Sequence, residues 1–334
     1  MSRLSFGCGN GKGNGNGGLG LRVRWGFDHV PLYSVDMATF KDFAGVARAP
    51  FLLLPITLVA AGGAASLFDG HFSWSRTLLA LVGLVALHMA VNILNEWSDM
   101  RTGIDLATER TPFSGGSGTL PQGGMSLSSA LAFGLTCAAL GLAVGVYLVS
   151  AVGWPLVPIM VIGAISVLVY TDVLARMGIG ELAAGLGLGG LPVLGTALVQ
   201  DATVGPAAWA AALPATFMTF NLLLLNEFPD EVADREGGRR NLVILFGRRT
   251  AALIYAAAAL ATPAVIVIAV VVGALPAVCL VAALPSLLLA KPLGWVAGDT
   301  GRPVPVPALG ANVVWNLTTN TVLAITLVVA AVMS

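Results

Sequence analysis

Apolar residues in this chain come in long runs separated by short polar stretches, and each run approaches the thickness of a bilayer. A helix needs roughly 20 apolar residues to cross the ~30 Å hydrocarbon core of a membrane. The runs predict nine spans, at about 44–66, 76–97, 126–150, 154–172, 181–200, 206–227, 249–272, 274–291 and 308–332. Several are rich in Gly, Ala and Ser, as over 184–190, a composition that lets helices pack closely in lipid.

Composition strengthens this reading. Of 334 residues, 57% are hydrophobic and 10% charged, whereas a soluble domain carries about 25% charged residues. So few charges do not cover a water-exposed surface. The predicted class is all-α, a polytopic membrane protein of nine transmembrane helices bundled as a single domain over 37–334. Residues 1–36 differ: 8–20 are almost entirely Gly and Asn, without the apolar core of a signal sequence, and read as a flexible tail. Net formal charge is zero, which gives no sign of a nucleic-acid partner, and no protein partner is inferable. Cys8, Cys137 and Cys279 lie too far apart for a zinc spacing or a disulfide framework.

Charge placement sets orientation. Sixteen of the seventeen Lys and Arg fall in the tail, in loops after even-numbered spans or at the span ends beside them, and Arg76 alone falls on the other face. By the positive-inside rule the tail and the even loops are cytoplasmic. Trp74, Trp154 and Trp209 then mark the far interface as an aromatic belt. The even loops are long and polar and the far-side loops very short, so function is expected in a cavity at the cytoplasmic face of the cell membrane.

Two helix ends on that face match. Span 2 closes with Asn92-Ile93-Leu94-Asn95-Glu96-Trp97-Ser98-Asp99, followed by Asp105, and span 6 with Asn226-Glu227-Phe228-Pro229-Asp230, followed by Asp234. Both read Asn-Glu-aromatic-x-Asp, 131 residues and four spans apart, as in a weak parallel repeat. Residues four apart share a helix face, so Asn95 with Asp99, Asn226 with Asp230, and Asp230 with Asp234 each aim oxygens in one direction. Oxygen donors select hard cations, and Mg2+ is held by one or two carboxylates together with substrate phosphates and water. Two facing carboxylate clusters therefore suit a diphosphate bridged by metal ions. Ordinary interfacial carboxylates are the competing account, which the repetition at equivalent positions disfavours.

Arg101 and Arg110 follow the first motif, and Arg235, Arg239 and Arg240 surround Gly237-Gly238 after the second. Arginine clamps phosphate oxygens bidentately, although positive-inside signal accounts for some of these residues. The Gly-rich stretch 113–124 lacks a Walker lysine and reads as a mobile loop over the site. His88, within span 2, reads as a packing residue. Tyr170, with Thr171 and Asp172, ends span 4 on the active face, and Glu181 opens span 5. Tyr170 would hydrogen-bond an acceptor or offer its ring to a developing cation, or else belong to the interfacial belt.

These residues resemble the UbiA superfamily of intramembrane prenyltransferases over about 40–334. Asn95-Glu96-x-x-Asp99 with Asp105, the 115–123 glycines, Gly178-Ile179-Gly180-Glu181 and the string from Asn226 to Arg240 are similar to the menaquinone-type branch. The resemblance implies an enzyme using Mg2+ to transfer a prenyl group from a polyprenyl diphosphate to an aromatic acceptor, 1,4-dihydroxy-2-naphthoate in menaquinone biosynthesis. It implies metal ligands at Asn95, Asp99, Asn226, Asp230 and Asp234, with Asp105 a nearby carboxylate, and a diphosphate contact from Arg239, where the family usually has lysine. The chain departs from that pattern at Glu96, commonly aspartate, and at Asp172, often proline. Alternatives are prenylation of 4-hydroxybenzoate, of another aromatic ring or of a glycerol-based lipid. An ion-coupled transporter is the alternative of another class, but transporters place such carboxylates near the midplane, often within inverted repeats.

Overall fold

The computed structural model describes residues 38–333; the tail proposed for 1–36 and Cys8 lie outside the described residues. Every described regular element is helical. In chain order these are α1 (Phe40–Val46), α2 (Leu53–Phe68, entered through a turn at Ala49–Leu52), α3 (Trp74–Thr102), α4 (Ile104–Ala107), α5 (Leu127–Val152) and α6 (Val157–Leu168). After a wide turn at Tyr170–Leu174 come α7 (Gly180–Asp201), α8 (Pro206–Glu236), α9 (Leu242–Val271), α10 (Ala277–Ala297) and α11 (Val306–Met333).

Eight helices are long and apolar enough to cross a membrane, and nine spans result when the bent pair Trp154–Leu168 and Tyr170–Met177 counts as one. Large apolar side chains stand exposed around the outside, among them Leu142 at 54%, Leu260 at 56% and Leu287 at 78%. A water-soluble surface of this size does not carry such a continuous apolar girdle. The predicted belt residues Trp74, Trp154 and Trp209 are all exposed at one end of the bundle.

Local chemistry explains where elements begin and how closely they pack. Thr39 caps α1 reciprocally with Asp42, and the side chains of Ser73, Ser126 and Asn241 cap α3, α5 and α9. Gly185, Gly189 and Gly190 of α7 lie against α8 so closely that a Cβ on the first two would strike the carbonyls of Thr216 and Ala215. Small residues at that contact let the two backbones approach where no hydrophobic effect drives them together. Deeper in the bundle, the Tyr255 hydroxyl donates to Asn312 Oδ1 (2.9 Å), Asn312 Nδ2 to the Asn221 carbonyl (3.0 Å) and Asn221 Nδ2 to the Tyr255 carbonyl (3.0 Å). This closed ring ties α8, α9 and α11 with partners that lipid does not offer.

The boundaries differ from the expected ones in informative ways. The first span starts at Ala49 rather than 44, because Arg48 takes a left-handed φ of 51° that separates it from α1. The second and sixth spans do not stop near 97 and 227 but run on to Thr102 and Glu236. Both acidic motifs are therefore helical throughout, and the i, i+4 spacing holds across Pro229. The fourth span bends by 70° beyond Leu168. In α9, Gly247 (φ 78°, ψ 157°) breaks the helix, so the continuous span starts one residue before the expected 249.

The ends of α3 place the 102–110 segment and the 201–205 loop at opposite ends of the bundle, since Arg76 donates to the carbonyls of Val199 and Gln200. In a protein with Cys8 replaced by Ser, Glu109→Cys and Thr203→Cys are expected to react with an impermeant maleimide from opposite sides of sealed vesicles. Labelling of both from the same side would refute the nine-span count.

Candidate active site

Asn92, Asn95 and Asp99 lie three and four residues apart on α3, so they share one face, and all three line a single cavity. Thr219, Asn226, Glu227, Asp230 and Asp234 of α8 line the same cavity from the other side. Gly103, with φ 84°, ends α3 in a left-handed turn that a side chain would strain. The chain then reverses into α4 and carries Asp105 to the cavity wall. Asp99, Asp105 and Asp234 are 4%, 3% and 1% exposed.

Two arginines face this acidic cavity, and each organises part of it. After α8 the chain folds back through Gly237 and Gly238, and the Arg239 N–H bonds the Asp234 carbonyl (2.8 Å). The Arg239 guanidinium then donates to Asp234 Oδ1 at 3.0 Å and also to Asp99 Oδ1, bridging the two motifs. Asn241 Nδ2 donates to the second oxygen of Asp234 (2.9 Å). Arg48 instead pairs with Glu96, its Nε 2.9 Å from Oε1. The fully buried Glu96 also accepts from the Ser117 N–H (2.7 Å) and hydroxyl (2.6 Å).

The Gly-rich stretch closes over the cavity through that contact and through the Gly115 N–H, which donates to Asp230 Oδ2 at 3.2 Å. Its glycines have a physical reason. Gly116 has φ 72°, and a Cβ there would lie 2.8 Å from Asp105 Oδ1. The segment expected to be a mobile loop is thus bonded to both acidic motifs.

Several oxygens at the cavity remain without a donor: Asp105 Oδ2, Asn226 Oδ1, Glu227 Oε2 and Asp230 Oδ1. Leaving a buried polar atom unpaired costs about 1–3 kcal/mol, so four at one place mark a site built for something that supplies positive charge. Thr171 Oγ1 accepts from Asn95 Nδ2 (3.3 Å), which leaves the Asn95 oxygen free to coordinate. Burial, followed by the charges of Asp99 and Glu96, pushes the Asp105 carboxyl up to about 7. A bound cation would oppose that rise. Among the described residues no three His, Cys, Asp or Glu converge tightly enough to hold an ion alone. Mg2+, which takes one or two carboxylates and draws its other ligands from phosphate and water, fits such a donor set.

The structure gathers Asn95, Asp99, Asp105, Tyr170, Asn226, Asp230, Asp234 and Arg239 around one cavity. Tyr170 is 9% exposed and belongs to the cavity wall rather than the interfacial belt. Five other candidates lie elsewhere. Arg101 pairs with Asp172 (3.2 Å) and covers the Trp97 ring, Arg235 pairs with Glu231 (2.9 Å), and Arg110 and Arg240 are exposed outside the cavity lining. Glu181 is buried beside the site, where it accepts the Leu242 N–H (2.5 Å) at the start of α9. Two cavity residues went unassigned in the sequence: Arg48, counted there only as one more cytoplasmic basic residue, and Glu227, visible inside the second motif.

Comparison with known proteins bears on the family and the fold. The UbiA prenyltransferase family model matches residues 53–303. The chain is 27% identical over 183 residues to a Bacillus subtilis 1,4-dihydroxy-2-naphthoate octaprenyltransferase, a match spanning 54% of this chain and 58% of that protein, less than two thirds of its length. It is 28% identical over 229 residues to the Mycobacterium tuberculosis protein of the same name, covering 66% of this chain and 74% of that one. A UbiA homolog from Archaeoglobus fulgidus bound to GPP and Mg2+ superposes with a TM-score of 0.62 at 15% identity, over 86% of this chain and 99% of that one. An apo UbiA homolog from Aeropyrum pernix K1 gives 0.64 at 17% identity, over 84% and 98%.

The Arg48–Glu96 pair yields a stability test. Removing one partner of a buried ion pair costs about 3–5 kcal/mol, because the remaining charge is stranded. Arg48→Met is expected to lower thermal stability in detergent by that order, and adding Glu96→Gln to recover most of the loss. No recovery in the double variant would show that the pair is not coupled.

Proposed function

The chain belongs to the UbiA prenyltransferase family, and we propose that it transfers a prenyl group from a polyprenyl diphosphate to an aromatic acceptor, with 1,4-dihydroxy-2-naphthoate as that acceptor. The observation that carries this reading is the convergence of both acidic motifs, with unpaired oxygens on each, around one cavity. The names of the Bacillus and Mycobacterium relatives support the acceptor, and the GPP- and Mg2+-bound archaeal homolog supports the donor class and the metal.

Asn95, Asp99 and Asp105 would hold metal on one side of the diphosphate, and Asn226, Asp230 and Asp234 on the other. When bound there, Mg2+ supplies Lewis-acid neutralisation of the charge that develops on the leaving diphosphate. Arg239, already poised between Asp99 and Asp234, would add a bidentate contact to the same leaving group. Rupture of the allylic C–O bond releases diphosphate and leaves a cation on the prenyl carbon. An electron-rich ring carbon of the acceptor captures it, and the ring regains aromaticity by shedding the group on that carbon, a proton from a C–H or carbon dioxide from a carboxyl-bearing carbon. The Tyr170 ring at the cavity wall would face that cation. Leu54, Val91, Leu222 and Leu223, on the same wall, exclude the water that would otherwise quench it. The basic-residue asymmetry supports a cytoplasmic position for this end of the bundle.

Purified protein supplied with octaprenyl diphosphate and either 1,4-dihydroxy-2-naphthoate or 4-hydroxybenzoate tests the assignment by mass spectrometry of the products. A prenylated naphthalene product is expected from the first acceptor and little from the second. Turnover is expected to vanish in EDTA and to return with Mg2+. Undiminished turnover in chelator would overturn the metal-bridged site, and exclusive prenylation of 4-hydroxybenzoate would overturn the acceptor.

A further inference from the structure

The repeat that aligns the two acidic motifs continues into the cavity beyond the carboxylates. His88 precedes Asn95 by seven residues on α3, and Thr219 precedes Asn226 by seven on α8. Seven residues are two helical turns, or about 10 Å, so each side chain stays on the face of its own motif. Both line the active-site cavity, and they are 5% and 3% exposed. His88 Nδ1 lies 3.0 Å from the Leu84 carbonyl, which can only accept, so Nδ1 carries the hydrogen and Nε2 is a bare acceptor. The Leu188 carbonyl stands by the ring, yet Nε2 has no hydrogen-bond partner. On its other side His88 borders a half-open apolar cavity between α3, α5, α6 and α7. The hydroxyl of Thr196 in that wall already donates to the Pro192 carbonyl (2.7 Å). Thr219 Oγ1 is unpaired as well. Gly189 of α7 leaves it open, since a Cβ there would stand 2.8 Å from the hydroxyl oxygen.

Two unpaired polar atoms at equivalent places of a repeat, among Leu54, Val91, Leu222 and Leu223, are costly inside a bilayer and mark a site for a polar group. The chemistry of the substrates narrows that group. A diphosphate belongs with the carboxylates and their metal, and a prenyl chain has no polar atom to offer. The aromatic acceptor brings hydroxyls. We propose that His88 and Thr219 hold the hydroxyl groups of the acceptor ring, one ring O–H donating to His88 Nε2 and a second ring oxygen exchanging a hydrogen bond with Thr219. This rests on the prenyl-transfer reading above and adds to it the residues that select the acceptor. With the diphosphate at the carboxylates, a ring held two turns deeper faces the allylic end of the donor. A ring hydroxyl that donates to Nε2 also pushes electron density into the ring, which favours capture of a cation.

Crossing side-chain substitutions with ligand substitutions tests this directly. The ligands are 1,4-dihydroxy-2-naphthoate, which carries both hydroxyls, and 2-naphthoate, which carries neither. Their binding to purified protein is followed anaerobically by ligand fluorescence. His88→Phe and Thr219→Val keep the side-chain shape and remove the hydrogen-bonding atom. Each should raise the Kd and the KM of the dihydroxy ring about five- to tenfold, the size of one net hydrogen bond. The Kd of 2-naphthoate should hardly change, and Thr219→Ser should bind the dihydroxy ring as wild type does. Binding of dimethylallyl diphosphate with Mg2+ should be unaltered in both variants. Unchanged affinity for the dihydroxy ring in folded His88→Phe and Thr219→Val proteins would overturn the proposal. Equal weakening of the two naphthoates would also overturn it, and would make the pair packing residues. Wild-type protein that shows the predicted pattern of binding but transfers no prenyl group would instead defeat the underlying reading and leave the ring site standing.

Discussion

The contact on which this site depends is the double bond of Arg239 to Asp99 and Asp234. At the cavity, α3, α4 and α8 bring together four aspartates, three of them almost wholly shielded from water. Like charges gathered in such a place repel, and the repulsion acts to drive the helix ends apart. One guanidinium between two of them reverses the sign of the nearest interactions. At about 4 Å and an effective dielectric near 20, a single opposite pair attracts by about 4 kcal/mol, and Arg239 makes two such pairs across the two motifs. Arg48 does the same for Glu96, whose position in turn anchors the glycine-rich segment through Ser117. The remaining charge is what a diphosphate with its metal ions can use.

The membrane setting makes this arrangement both costly and effective. Polar groups inside a helical bundle must find protein partners, as Tyr255, Asn312 and Asn221 do, or they mark sites of function. The oxygens of Asp105, Asn226, Glu227 and Asp230 belong to the second kind. Irregular helix winding occurs beside them, at Tyr170–Leu174 and Leu186–Gly190. Such wide turns are frequent at functional sites, and here they place Tyr170 and Leu188 on the cavity wall. Backbone regularity is relinquished beside both cavities.

Most of the architecture was legible because lipid imposes a simple rule: apolar runs of bilayer length become helices, and their number follows. The acidic motifs were legible for an equally simple reason. Helical spacing fixes which residues share a face, and α3 and α8 continue unbroken through both patterns. Arginine roles were not, because they depend on turns that carry no periodic signal. Arg239 and Arg240 are neighbours in sequence, yet the reversal at Gly237 and Gly238 sends one into the cavity and leaves the other exposed. Arg48 escaped notice because its direction comes from one left-handed residue between α1 and the first span. Glu96 reads in the sequence as a departure from the commoner aspartate; in the structure it turns to Arg48 and Ser117. Asp172, where the resembled branch often has proline, holds Arg101 away from the cavity and also accepts from Ser98 (2.6 Å).

The central claim is that the two motifs act as one unit on one diphosphate, and a double-mutant cycle measures that most directly. Asp99→Asn and Asp230→Asn each remove a charge at nearly constant volume, and each is expected to lower kcat/KM by at least about a hundredfold while the protein remains folded in detergent. Groups that act together are strongly non-additive, so the double variant is predicted to lose little beyond the worse single one. Losses that multiply in the double variant, or a folded Asp99→Asn protein with near wild-type turnover, would contradict a shared site.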